Sequence, residues 1–173
     1  MYKIILFLLL SLCANATDLA FVSGEIKAHT EVFGESNIDP VSKQIESQLT
    51  IDNTISSVKG KLSLASLSLK SDKSARDEHM YEVLNAKEYP FVTFDVKKIV
   101  QTDNTYTING LLTLNGVTKE IVSSAKIKDD ATALNMSGSF SINLTDFGME
   151  PPTLLFLTVR DQIDITYNLT FKK

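Results

Sequence analysis

Few residues in this chain could do chemistry. Its 173 residues include two histidines, His29 and His79, and one cysteine, Cys13. No Gly-x-Ser-x-Gly elbow accompanies them, so a Ser-His-acid triad would have to be assembled from scattered positions without a motif. The two histidines do not stand at one-face spacing, and a metal site made of His29, His79 and a carboxylate is only geometrically conceivable. No cofactor motif is present. The densest polar group is Arg76-Asp77-Glu78-His79. Arg76 and His79 share one helical stripe, where a planar guanidinium fork and an imidazole could meet a phosphate, a hydroxyl or a quinone-like head group. The same residues allow two other roles. Asp77 and His79 could serve an enzyme as acid and base, or Arg76 and Asp77 could tie a helix to neighbouring strands with Arg160 or Asp161 as partners.

The elements that must position these residues are mostly extended. Ile163, Ile165, Tyr167, Leu169 and Phe171 alternate with polar residues, which puts five apolar side chains on one face of a strand. The same period of two recurs at Ile26, Ala28, Thr30 and Val32; at Ile45, Leu49 and Ile51; at Tyr106, Ile108, Leu112 and Leu114; at Ile121, Ala125 and Ile127; and at Phe140, Ile142 and Leu144. Between Lys59 and Lys70 the apolar phase shifts from Leu62 and Leu64 to Leu67 and Leu69, which predicts a β-bulge or bend. Asn115-Gly116 predicts a tight hairpin, and Asp103-Asn104 and Asp129-Asp130 punctuate other turns. About eight strands patterned on one side predict an up-and-down barrel or a sandwich in one domain. Ser74 to Asn85 breaks the pattern: Arg76, His79, Met80 and Val83 fall at helical spacing, with Ser74 as the expected N-cap, and Tyr89-Pro90 leads into the next strand.

The beginning of the chain reads as an export signal. Met1-Tyr2-Lys3, the apolar run Ile4 to Leu12 and Ala14-Asn15-Ala16 predict cleavage after Ala16, leaving residues 17–173 in the periplasm or secreted. The run is too short to span a bilayer, which needs roughly 20 apolar residues, so stable membrane insertion is not expected. Acylation of Cys13 ranks behind cleavage because Leu12 is large. Without residues 1–16 the chain has no cysteine, hence no disulfide, thiolate nucleophile or thiolate metal ligand. It also loses Lys3, so 16 basic residues face 21 acidic ones and the formal charge moves from −4 to −5. The basic residues are scattered, which argues against nucleic acid as a partner. A homodimer is an assembly that the sequence leaves open.

Four segments in order carry a family resemblance: Arg76-Asp77-Glu78-His79-Met80; Lys87-Glu88-Tyr89-Pro90-Phe91-Val92-Thr93-Phe94; Gly110 to Lys119; and Asp146-Phe147-Gly148-Met149 with Val159-Arg160-Asp161. On these motifs the chain resembles the YceI-like family of periplasmic, lipocalin-like proteins. The resemblance implies an all-β fold with one short helix, an eight-stranded antiparallel barrel enclosing an apolar tunnel. It also implies a long-chain isoprenoid or fatty-chain lipid as partner. The route from Gly34 to Ser47, with Ile38-Asp39-Pro40, departs from the family pattern.

Patterning alone leaves a packed lumen and a hollow one open, because eight strands suit either. A filled barrel would act through its surface on another envelope protein, and a lipid-modifying enzyme using His79 and Asp77 is the other alternative. For a hollow one, the expected lining is Phe94, Leu112, Phe140, Ile142, Phe147, Met149, Leu155, Phe156, Ile165 and Tyr167, with Arg76, Asp77 and His79 as polar candidates. The inward strand positions among these also serve as ordinary core. Phe147, Met149, Leu155 and Phe156 surround Pro151-Pro152 in a loop-like stretch, where apolar bulk is expected to cover a cavity or its entrance.

Overall fold

The computed structural model describes residues 16–32, 35–154 and 157–173. The long strands are β1 (Thr17–Val32), β4 (Glu46–Ile51), β5 (Lys59–Ala65), β6 (Phe91–Thr102), β7 (Thr105–Leu114), β8 (Val117–Asp129), β9 (Ala133–Asn143) and β12 (Gln162–Lys172). Each pairs antiparallel with its neighbour in the order β12-β9-β8-β7-β6-β5-β4-β1. The sheet closes where β1 meets β12, from Ala20↔Lys172 to His29↔Asp164. These eight strands form the expected antiparallel barrel. Two short strands, β2 (Glu35–Ile38) and β3 (Val41–Ser42), fold back against β1, and β10 (Thr153–Leu154) pairs with β11 (Leu157–Thr158) in the loop before β12.

The two ends differ in their connections. At one end short turns join β4 to β5, β6 to β7 and β8 to β9, and the first and last strands begin and end there. Asp103 takes a left-handed backbone (φ 53°) in the β6–β7 turn. At the other end lie the long connections β1–β4, β5–β6 and β9–β12, together with the tight β7–β8 hairpin. That hairpin is the expected Asn115-Gly116 turn, both residues being left-handed (φ 50° and 71°), as a two-residue turn of this hand requires.

The inward side chains form two apolar clusters, one toward each end of the barrel. The short-turn end is plugged by Leu19, Leu49, Ile51, Val58, Ile99, Ile127, Leu134 and Phe171, with Phe21 edge-on to Phe171 at 6.2 Å between ring centres. The other cluster gathers Leu69, Leu84, Leu114, Leu144, Phe147 and Met149 beneath the long connections. Between them the lumen is open.

Two local expectations are corrected. The phase change after Leu64 is not a bulge: β5 stops at Ala65 and a 3-10 turn over Ser66–Ser68 follows, leaving Leu67 exposed and returning Leu69 to the core. The helix α1 spans Ser74–Val83 with Lys73, not Ser74, at its N-cap. Ser71 stands two residues before that cap. Its backbone N–H donates to Asp77 Oδ1 at 2.7 Å and its hydroxyl to the Lys73 carbonyl at 3.2 Å, so the chain turns one residue earlier. Asn85, left-handed at φ 49°, ends the helical stretch. Tyr81 fastens α1 to the 3-10 turn by donating to the Leu69 carbonyl at 2.6 Å, and Lys70 lies over its ring at 5.0 Å.

The loop returning to β12 is held by carboxylates. Asp161 accepts the Thr145 backbone N–H at 2.9 Å and its hydroxyl at 2.7 Å. Asp164 accepts from the Ser141 hydroxyl, the Gln162 amide and the Arg160 guanidinium, which together hold its carboxyl down to about 2.

Because Phe171 is fully buried in the plug, Phe171→Ala is expected to destabilise the fold by about 3–5 kcal/mol in urea unfolding. Val122→Ala on the outer surface, at 63% exposure, is expected to change stability by less than about 0.5 kcal/mol.

Candidate functional site

Above the plug the barrel encloses a cavity of about 920 Å³, near the top of the roughly 300–1,000 Å³ range of small-molecule sites. Its lower walls are Val96, Ile108, Met136 and Leu169, its middle Phe94, Leu112, Phe140 and Ile165, and its upper rim Ile38, Pro40, Met80, Val83, Pro152 and Val159. The rim residues come from the long connections and from α1, so the mouth lies at that end. Alternation explains the apolar walls: each strand turns every second side chain inward, and these are aliphatic or aromatic at almost every position.

Two aromatic side chains shape the bore. Phe94 of β6 and Phe140 of β9, three strands apart in the sheet order, stack at 6.2 Å and 21° between ring planes. Phe94 folds against Gly110 on β7, where a Cβ would lie 2.4 Å from its ring. Tyr167 of β12 lies in the same way over Gly138 on β9, where a Cβ would stand 2.4 Å from the hydroxyl. The Tyr167 hydroxyl sits 2.8 Å from Ser123 Oγ, and Ser123 donates to the Ser139 carbonyl at 3.1 Å. Withdrawal from water pushes the Tyr167 phenol above its ordinary range.

The charged wall residues cluster at the mouth. Lys73, Arg76 and His79 line it there. Arg76 pairs with Asp72 at 2.8 Å while keeping only 19% of its side chain exposed. His79 is more open, 61% exposed, and stands 3.3 Å from Glu82. On β1, His29 Nδ1 bonds Asp39 at 2.6 Å and Nε2 faces Glu31 at 3.3 Å. The Asp39 hydrogen bond is the main reason the imidazole's pKa is raised. That pair fastens the β2–β3 connection across the rim, beside the Ala28 N–H bond to the Pro40 carbonyl at 2.9 Å.

The expected site residues separate in the structure. Arg76, His79, Phe94, Leu112, Phe140, Ile142, Ile165 and Tyr167 stand on the cavity wall. Asp77 does not: 5% exposed, it is spent on the Ser71 N–H beneath α1. Phe147 and Met149 do not line the cavity either. The 3-10 turn Leu144–Phe147 and the left-handed Gly148 roll both side chains into the packed cluster under the rim, at 1% and 3% exposure. Leu155 and Phe156 lie outside the described residues. Arg160 and Asp161 hold the loop before β12 and do not bond Arg76 or Asp77 among the described contacts. Sequence reasoning missed Ile26 and Ala28 of β1, Leu62 and Leu64 of β5, and Ser123. The period of two was visible for each strand, but a polar residue at an inward position, as at Ser123, carries no apolar signal.

The YceI-like domain profile matches residues 14–171. The chain belongs to the YceI-like family. Among curated relatives of this YceI-like chain, the UPF0312 protein of Azotobacter vinelandii (strain DJ / ATCC BAA-1303) is 31% identical over 101 residues, covering 53% of each chain. The UPF0312 protein of Pseudomonas syringae pv. tomato is 30% identical over 119 residues, covering 64% of this chain and 61% of that one. The matches thus span little more than half the length of these relatives. Two solved structures share the fold. Burkholderia cenocepacia BcnA superposes with a TM-score of 0.75 at 16% identity, over 85% of this chain and 95% of that one. A structure described as a polyisoprenoid binding domain from Saccharophagus degradans, implicated in plant cell wall breakdown, gives 0.69 at 12% identity, over 90% and 97%. Identities this low establish the barrel and leave the contents of its cavity to this chain's own residues. Among the described residues, no group of side chains is arranged to hold a metal ion, and no helix is long and apolar enough to cross a membrane.

The His29–Asp39 pair gives the rim a pH dependence. A pKa raised in the folded state means its contribution is complete below the ordinary histidine pKa and is lost as pH rises through the raised value. After correction for intrinsic exchange, the Ala28 amide is expected to lose hydrogen-exchange protection across that window in the wild-type protein and to show no such step in His29→Gln.

Proposed function

We propose that this protein binds a long-chain amphiphilic lipid, a polyisoprenoid, isoprenoid quinone or fatty-acid derivative, and stores or carries it in the bacterial periplasm or outside the cell. The single observation that carries this reading is the apolar cavity of about 920 Å³, continuous from the rim to the plug. Eight strands suit a packed lumen as well as a hollow one, so the open space distinguishes between them. Burying ten methylenes there would supply roughly 8 kcal/mol gross, before several kcal/mol for ordering the chain. Family membership and the polyisoprenoid binding domain among the structural neighbours support the same ligand class. Arg76 and His79 stand at the mouth, where a polar head group would rest. The periplasmic or secreted location rests on the signal-like pattern of residues 1–16.

Binding fits the side chains better than catalysis. An acid–base pair of Asp77 and His79 needs both groups at the substrate. Only His79 faces the cavity, and the Asp77 carboxylate is committed to the Ser71 backbone.

Native mass spectrometry of the protein purified from its own cell envelope is expected to show a lipid adduct, and delipidated protein is expected to take up prenyl or fatty chains. A ligand-free mass with no uptake would reject the proposal. Ala28→Trp puts a large ring into the open bore from a wall position now occupied by a methyl group. It is expected to reduce lipid uptake at least about tenfold while the circular dichroism spectrum remains that of a folded barrel.

A further inference from the structure

The walls of the lumen are mostly apolar, and below its middle Tyr167 and Ser123 bring two hydroxyls together. Tyr167 lies four residues along β12 from Ile163 at the rim. For strands rising about 3.4 Å per residue and tilted about 40°, that is roughly 10 Å down the barrel axis. The pair is built rather than incidental. Gly138, opposite Tyr167 in the ladder, leaves the space that the ring and its hydroxyl occupy, and Ser123 is 1% exposed. A phenylalanine and an alanine would fill the same wall without desolvating two hydroxyls.

The hydrogen-bond inventory leaves capacity unspent. Each hydroxyl has one proton and two acceptor sites. With the Ser123 proton on the Ser139 carbonyl, Tyr167 donates to Ser123 Oγ, and its own oxygen can still accept from an alcohol. If Ser123 turns its proton to Tyr167, the phenol proton is released to donate to a carbonyl. The site therefore reads an oxygen in either role. A charge would be unwelcome: the cationic wall residues Lys73 and Arg76 stand at the rim, and the interior beside Tyr167 is the aliphatic surface of Ile26, Ile165 and Leu169.

We propose that Tyr167 and Ser123 form a recognition site for an uncharged oxygen, an alcohol or a carbonyl, on the part of the lipid that reaches the lower cavity. The inference rests on the lipid-binding reading and sharpens it: the ligand carries a neutral oxygen at its buried end. A purely structural role is the competing account, since Ser123 also caps the Ser139 carbonyl where the β8–β9 ladder ends at Ser124↔Ser139.

The test compares hexadecan-1-ol with hexadecane, delivered from cyclodextrin to delipidated protein. In a wholly apolar bore the alcohol has no advantage, because its hydroxyl stays in water at the mouth or is buried unpaired. Wild-type protein is expected to bind the alcohol at least about fivefold more tightly than the alkane. In Tyr167→Phe/Ser123→Ala that preference is expected to vanish while alkane affinity is retained. Should the double variant fail to fold, Tyr167→Phe alone, which deletes only the hydroxyl, serves instead. The Tyr167 Cζ carbon resonance of wild-type protein is expected to shift with the alcohol and not with the alkane, a response that a cap on the ladder would not give. Equal affinities in wild-type protein, or a preference that survives in the variants, would overturn this inference while leaving lipid binding standing. Failure of both chains to bind would overturn this inference and the lipid-binding reading together.

Discussion

Closure of the sheet between β1 and β12 is the constraint on which the other features depend. Ten residues of β1, Ala20 to His29, span the register against Lys172 to Asp164, with one irregularity between Phe21 and Ser23. Closing the sheet removes both edges and fixes the strand number at eight, and that number sets the width of the lumen. The same closure makes side-chain parity unambiguous, since every second residue must face one enclosed space. Long connections then have only the ends of the barrel to cover. Three of them gather at one end and form a rim, whereas the short-turn end is sealed by the side chains of its own strands.

Much of this was legible in the sequence because a period of two is a direct statement about which face is buried. Leu112, Phe140, Ile142, Ile165 and Tyr167 all reach the cavity, as their alternation requires. The hairpin at Asn115-Gly116 was legible for a similar reason, since its left-handed backbone admits few residue types. The connections were less so. Phe147 and Met149 sit among turn residues whose direction depends on the 3-10 geometry of Leu144–Phe147 and on Gly148, and no periodic pattern reports that. Asp77 was ambiguous because a carboxylate in a first helical turn can face a ligand, a cap or a loop. The Ser71 N–H decides among these through a contact within the connection that the spacing of residues does not encode.

The mouth and the interior pose opposite electrostatic problems. At the mouth, Lys73, Arg76 and His79 line the wall, with Asp72 beside Arg76 and Glu82 beside His79. Such exposed pairs contribute little to stability, so their effect is on what approaches the rim. Inside the bore a charge could not be hydrated, and only groups that neutralise one another's hydrogen-bonding demand can remain there. This division favours a ligand whose ionised or strongly hydrated part stays at the rim.

Phe94 and Tyr167 show how the barrel keeps a bore while still burying aromatic bulk. Each ring packs against a glycine on the adjacent strand, Gly110 for Phe94 and Gly138 for Tyr167, so aromatic bulk occupies the space that a side chain at the glycine would otherwise fill. A Cβ at either glycine would come within 2.4 Å of the ring or its hydroxyl and force the side chain inward. Apolar contact area and packing against the wall are therefore similar at the two positions, and the hydroxyl is what sets Tyr167 apart. It needs a partner at the end of the ring, and Ser123 stands there on the strand beyond the glycine. Packing alone would be met by two phenylalanines; the phenol and its serine add a direction and a polarity to one side of a mostly apolar channel.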